Sequence, residues 1–209
     1  MGVIMGSEPT VFVIDNDQAV REGLRLLIKS VGLNVETYSS AQEFLSAFNP
    51  SRPGCLVLDV RMPGMSGLEL QETLHRRHVK IPIIMISGHG DVPMAVQTVK
   101  MGAVDFIEKP FRDQVLLERI QKAILKDSET RQEQDELNSL TARVENLTVR
   151  ERQVMNLVVA GKANKVIAMD LGIKQKTVEF HRARVMEKMR AASVADLVKM
   201  ATKVDVADQ

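Results

Sequence analysis

The chain has 209 residues, 44% hydrophobic and 26% charged, which suits one or two globular domains with a buried core. Its single cysteine, Cys55, excludes a framework of internal disulfides, and no apolar run reaches the ~20 residues that a membrane helix needs. Lys and Arg balance Asp and Glu overall, but residues 127–146 hold two cations against six anions while residues 147–209 hold twelve against seven, so a neutral front precedes an acidic connector and a basic tail suited to a polyanion.

Residues 1–9 lack the basic and apolar regions of a signal peptide, and a cytoplasmic, reducing location is expected. The first strand is read from Val11-Phe12-Val13-Ile14, which ends in Asp15-Asn16-Asp17. A helix over 18–31 follows, with Val20, Leu24, Leu27, Ile28 and Val31 on one face and Gly32 as its stop. After a weaker strand at Val35-Glu36-Thr37-Tyr38 and a helix near 41–48 comes Cys55-Leu56-Val57-Leu58. That run ends in Asp59, ahead of the Pro63-Gly64 turn, so Asp59 is expected at the rim of a sheet, presented rather than buried. Helices near 67–77 and 92–101 separate two further strands, one over 81–86 that delivers Ser87 and one over 104–107 that delivers Lys109. Five strands alternating with helices predict an α/β unit, an open parallel sheet covered on both faces that holds ligands at the carboxyl ends of its strands.

Residues 111–140 read as one long helix whose apolar stripe, Leu116, Leu117, Ile120, Ala123 and Ile124, fades after Lys126. Beyond that point a polar helix free of Gly and Pro is expected to act as a weakly pairing linker. The predicted domains are therefore 9–126, a linker over 127–146, and 147–205. From Leu147 the pattern is all helical. Thr148 and Glu151 make a capping box, Gly172 stops a second helix over 163–171, a third runs over 177–189, and Ser193 caps the last. Two short helices around a turn containing glycine make a helix-turn-helix, with the later one as reader. Residues 174–190 carry Lys174, Lys176, Arg182, Arg184, Lys188 and Arg190 against Glu179 and Glu187. By helical position Glu179, Phe180, Ala183 and Arg184 would face bases, while Lys165, Lys176, Thr177 and Arg182 would reach phosphates.

Asp15, Asp17 and Asp59 at neighbouring strand ends would repel one another without a cation, and an oxygen-only site suggests Mg²⁺. With the Ser87 hydroxyl and the Lys109 ammonium, these are the parts needed to hold a phosphoryl group. For Asp17 a helix-capping role has equal weight.

The blocks Ile14-Asp15-Asn16-Asp17, Leu58-Asp59-Val60-Arg61-Met62-Pro63-Gly64, Ile86-Ser87-Gly88-His89 and Phe106-Ile107-Glu108-Lys109-Pro110-Phe111 resemble the signatures of two-component receiver domains. That resemblance implies a flavodoxin-like (CheY-like) fold in which Asp59 takes a phosphoryl group from a histidine kinase. Asp15, Asn16, Asp59 and the backbone carbonyl of Arg61 would hold Mg²⁺, and Lys109, Ser87 and Phe106 would bind the phosphoryl group and switch. Arg61 and His89 would tune its hydrolysis, and Lys109-Pro110 would be cis. Asn16 departs from the family's second acid, which implies weaker metal binding.

The basic tail is similar to the four-helix DNA-binding domain of LuxR/FixJ type, so the whole chain resembles FixJ-subfamily response regulators. This second resemblance implies a phosphorylation-driven homodimer on double-stranded promoter DNA, with RNA polymerase as a further partner and no catalytic activity of its own. Two other readings fit parts of the sequence. One is a phosphatase of the haloacid-dehalogenase type with Asp15 as nucleophile and Asp17 as general acid, and the other is a constitutive DNA-binding protein with a degenerate receiver.

Overall fold

The computed structural model describes residues 8–88 and 92–207, which fall into two compact units, one ending at Arg131 and the other beginning at Gln132. In the first, β1 (Thr10–Ile14), β2 (Asn34–Tyr38), β3 (Gly54–Asp59), β4 (Ile83–Ser87) and β5 (Asp105–Glu108) form a parallel sheet ordered β2-β1-β3-β4-β5. Helices α1 (Gln18–Ser30), α2 (Ala41–Ala47), α3 (Gly67–Arg76), α4 (Val92–Lys100) and the start of α5 (Asp113–Glu145) complete it. β4 begins at Ile83 rather than at residue 81, since Pro82 has no N–H for the ladder.

Alternate residues of each inner strand serve opposite faces. Phe12, Ile14, Leu56 and Leu58 pack with Ala41, Phe44, Leu70 and Leu74, whereas Val11, Val13, Cys55 and Val57 pack with Leu24, Ile28, Leu116 and Ile120. Burial on both faces is why these strands read as unbroken apolar runs. Cys55 is part of this packing, and burial pushes its thiol up to about 12, so it stays protonated.

The helix α5 starts two residues later than expected and runs to Glu145, beyond the expected end at residue 140. The stretch expected to be solvated from residue 127 begins firmly tied down. The buried Asp127 Oδ2 accepts from the Gly54 N–H at 2.8 Å and from Arg131 Nε at 2.7 Å. Arg131 also donates to the carbonyls of Pro50, Ser51 and Arg52.

In the second unit the last part of α5 joins α6 (Val149–Val159), α7 (Asn164–Leu171), α8 (Gln175–Met189) and α9 (Val194–Ala207). Leu147, Val154, Val158, Ile167, Val178, Val185, Met189 and Leu197 form the core, with Val144 of α5 packed against it. Gly172 adopts φ 62°, which ends α7, and α8 begins at Gln175, two residues before the expected start. The Thr148–Glu151 capping box forms as predicted, and Glu151 Oε2 also accepts from Lys188 Nζ at 2.6 Å.

The hydrogen bond from Lys188, followed by the Thr148 N–H, holds the Glu151 carboxyl down at about 2, below its ordinary 4.5. A carboxyl depressed by folding stabilises the fold above its unfolded value, and that stability is lost as pH falls through the folded one. Glu151→Gln is therefore expected to cost about 1–2 kcal/mol at neutral pH, after a discount for solvent near the pair. The difference from wild type should shrink as pH falls from about 4.5 toward about 2. Urea denaturation of both proteins at neutral and acid pH measures it.

Candidate functional site

Parallel pairing brings the carboxyl ends of β1, β3, β4 and β5 to one edge: Ile14 lies opposite Leu58, Asp59 opposite Ile86, and Ser87 opposite Glu108. Asp15, Asp59, Ser87 and Lys109 are thereby carried into one cluster. Lys109 Nζ donates to Asp15 Oδ2 at 2.6 Å and to Asp59 Oδ1 at 2.8 Å, bridging the two carboxylates. The Lys109 N–H donates to the Ser87 carbonyl at 2.8 Å, which sets the start of the loop after β5, and Lys109-Pro110 is cis.

The expectation that Asp59 is presented to solvent is corrected. It is 6% exposed and Asp15 only 1%. The Arg61 N–H folds back to Asp59 Oδ2 at 2.9 Å and Lys109 covers Oδ1, so loop and lysine together roof the strand end. Asp17 is not in the cluster: its carboxylate caps α1, accepting from the N–H groups of Ala19 and Val20. Asn16 is exposed beside Asp15, Arg61 has an exposed side chain, Ser87 is buried, and Phe106 is half-buried against the core. His89 lies outside the described residues.

Two contributors escaped the sequence reading. Arg21 Nη1 reaches from α1 to the Asp15 carbonyl at 2.7 Å, and the Asp17 N–H donates to Asp15 Oδ1 at 2.8 Å, so the loop bearing Asp15 and Asn16 is held from two sides. The Arg21 signal was a cation one helical turn beyond the cap Asp17. Gly67 lets α3 approach β3, because a Cβ there would stand 2.3 Å from the Asp59 carbonyl oxygen.

Burial pushes the Asp59 carboxyl above its ordinary value, although the Lys109 hydrogen bond pulls the other way. For Lys109 burial alone would lower the ammonium, but the hydrogen bonds to Asp15 and Asp59 outweigh it and hold it raised. Two carboxylates and one ammonium leave a net negative, oxygen-only pocket. Among the described residues no group of three or more His, Cys, Asp or Glu is arranged to hold a metal. Mg²⁺ does not need one: it keeps several waters and takes one or two carboxylates, so the chemistry of Asp15 and Asp59 suits it.

In the second unit α7, the turn at Gly172 and α8 make the helix-turn-helix, with Val178, Val185 and Met189 inward as expected. Lys165, Lys176, Thr177, Glu179, Phe180, Ala183 and Arg184 are exposed. Arg182 differs: it is half-buried and donates to Asn164 Oδ1 at 2.9 Å, so part of its guanidinium is spent bracing α8 against α7.

Comparison with known proteins agrees with this architecture. Residues 11–121 match the response regulator receiver domain, and residues 145–201 match the bacterial regulatory proteins of the luxR family. The chain is 48% identical to the transcriptional regulatory protein FixJ of Azorhizobium caulinodans, over 94% of this chain and 93% of that one. It is 45% identical to the response regulator protein TodT of Pseudomonas putida, over 93% and 86% of the two. Among solved structures, the response regulator StyR superposes with a TM-score of 0.88 at 47% identity, covering 94% of this chain and 100% of that one. Full-length FixJ from B. japonicum gives 0.57 at 41% identity, covering 95% and 98%. This is not a family of enzymes, and the phosphatase reading falls with that. The chain belongs to the response regulators, as a transcriptional regulator that joins a receiver domain to a DNA-binding domain of the LuxR type.

Proposed function

We propose that Asp59 accepts a phosphoryl group from a sensor histidine kinase and that this modification promotes dimerisation and sequence-specific binding of promoter DNA, with recruitment of RNA polymerase as the output. The bridge from Lys109 to both Asp15 and Asp59 carries the reading, because it places a cation where phosphoryl oxygens would arrive. In the transfer an Asp59 carboxylate oxygen bonds to phosphorus as the P–N bond of the kinase phosphohistidine breaks, and the imidazole keeps that electron pair. Mg²⁺ would neutralise phosphoryl charge beside Asp15 and Asp59. Lys109 then pairs with the phosphoryl oxygens, and Ser87 and Phe106 move to match, a population shift biased by new charge. The domains 9–126 and 147–205 act as receiver and DNA reader, joined by residues 127–146 in a cytoplasmic protein. No helix among the described residues is long and apolar enough to cross a membrane.

One observation favours a weaker receiver: Asn16 stands where a second acid would raise metal affinity. Asn16→Asp is expected to tighten Mg²⁺ binding by about tenfold, since it adds a full negative charge at the cation. Calorimetric titration reads this directly, and equal or weaker affinity removes position 16 from the metal shell.

On the DNA side Lys176→Ala is expected to weaken binding to all duplexes alike and to reduce the slope of log affinity against log salt by about 1. Binding measured across a salt series tests it. An unchanged slope takes Lys176 off the phosphate contacts.

A further inference from the structure

The large apolar residues of α8 face the core of the second unit, apart from Phe180, which is 59% exposed on the same helix as the buried Val178, Val185 and Met189. An aromatic ring exposed on a helix rich in cations presents an apolar surface that a partner bound by those cations can cover. Its neighbours hold it in place. The Arg184 guanidinium lies 5.7 Å from its ring centroid, and the His181 ring meets it edge-on at 5.7 Å.

Arg184, one turn further along the same face, is braced twice, by the Phe180 ring and by Glu187, whose Oε2 accepts from Arg184 Nη1 at 2.9 Å. Arg182 contrasts with it in burial: it is half-buried and held across to Asn164 of α7, whereas Arg184 stays exposed on α8. The other neighbour on the reading face, Glu179, is engaged by Gln175 Nε2 at 3.2 Å. Phe180 and Arg184 therefore form one preorganised pair, an apolar plate beside a steadied fork of N–H donors.

We propose that this pair is a single specificity element that reads a thymine and a guanine close together in the major groove. The inference rests on the reading of α8 as the groove helix and adds what two of its residues recognise. The major groove offers an apolar side chain one partner, the thymine C5-methyl, and offers an arginine fork the O6 and N7 acceptors of guanine. Residues four apart are separated by about 6 Å along the helix axis. Base pairs rise about 3.4 Å each, so the two bases fall within about two steps of each other.

The test uses the full-length protein treated with Mg²⁺ and acetyl phosphate, with half-sites selected from random duplexes and then altered one atom group at a time. Deoxyuridine at the selected thymine removes only the methyl group, and 7-deazaguanine removes only N7. Wild type is expected to select a thymine within two steps of a guanine, to lose about three- to tenfold in affinity with deoxyuridine and about tenfold or more with 7-deazaguanine. Phe180→Ala should be indifferent to deoxyuridine and should feel the 7-deazaguanine change less, because its arginine keeps only the brace from Glu187. Phe180→Leu, which keeps an apolar surface, should retain part of the methyl preference. An equal deoxyuridine penalty in wild type and Phe180→Ala, or selected sites without a nearby thymine and guanine, would overturn the pairing while leaving α8 as the groove helix. Absence of sequence selection by the wild type as well as by both variants would overturn that underlying reading, and the pairing with it.

Discussion

Asp59→Asn is expected to abolish phosphoryl uptake, a loss of more than about 10³-fold, because a side-chain amide is no nucleophile at neutral pH. The substitution preserves shape. An amide oxygen can still accept from the Arg61 N–H or from Lys109, both of which now reach the carboxylate. Stability should not fall. Burial disfavours the charged form of Asp59 and raises its carboxyl above the ordinary value, so wild type loses stability as pH rises through that window. The neutral variant escapes this cost and should melt at the same temperature or higher at neutral pH. Loss of modification with an intact melting transition would separate chemistry from folding. Full uptake of label by the variant would show that Asp59 is not the acceptor.

Lys109→Ala attacks the same site from its cationic side. Removing the ammonium strips the counter-charge from both Asp15 and Asp59, two carboxylates buried close together. Phosphoryl uptake at saturating Mg²⁺ is expected to slow by about 10²-fold, the scale set by removing one preorganised donor from developing negative charge. Mg²⁺ binding should tighten in the same variant, because cation and ammonium compete for the same oxygens. Opposite movement of rate and metal affinity distinguishes loss of a phosphoryl partner from general damage to the pocket. Lys109→Arg should recover only part of the rate, since a planar fork cannot present one nitrogen to both carboxylates as the ammonium does. An unchanged rate in Lys109→Ala would remove Lys109 from the chemistry.

Much of this architecture is legible in the order of residues. Val11 to Ile14 and Cys55 to Leu58 announce buried parallel strands because both faces are covered, and parallel pairing then gathers Asp15, Asp59, Ser87 and Lys109 without further information. The capping box at Thr148 and Glu151 and the stop at Gly172 are local chemistry, and they appear where the sequence puts them. What stayed hidden depends on distant chain segments meeting. The burial of Asp59 comes from a loop folding back and a lysine fifty residues away. Asp127 caps the N–H of Gly54, 73 residues earlier, so a helix that looks solvated from its fading stripe begins with an anchored turn. Arg182 looks like a phosphate contact on a helical wheel, yet Asn164 of the preceding helix claims part of it. Periodicity tells which way a side chain points and says nothing of who waits there.

The proposed switch requires coupling between Asp59 and the DNA-binding unit, and one experiment addresses that coupling most directly. Affinity for a selected duplex is measured with wild type and Asp59→Asn, each before and after treatment with Mg²⁺ and acetyl phosphate, while mass spectrometry locates the modification. The predicted result is a single phosphoryl group on Asp59 of wild type together with a rise in affinity of at least about tenfold, and neither change in the variant. An equal rise in both proteins, or a wild type modified on Asp59 whose affinity does not change, would contradict it.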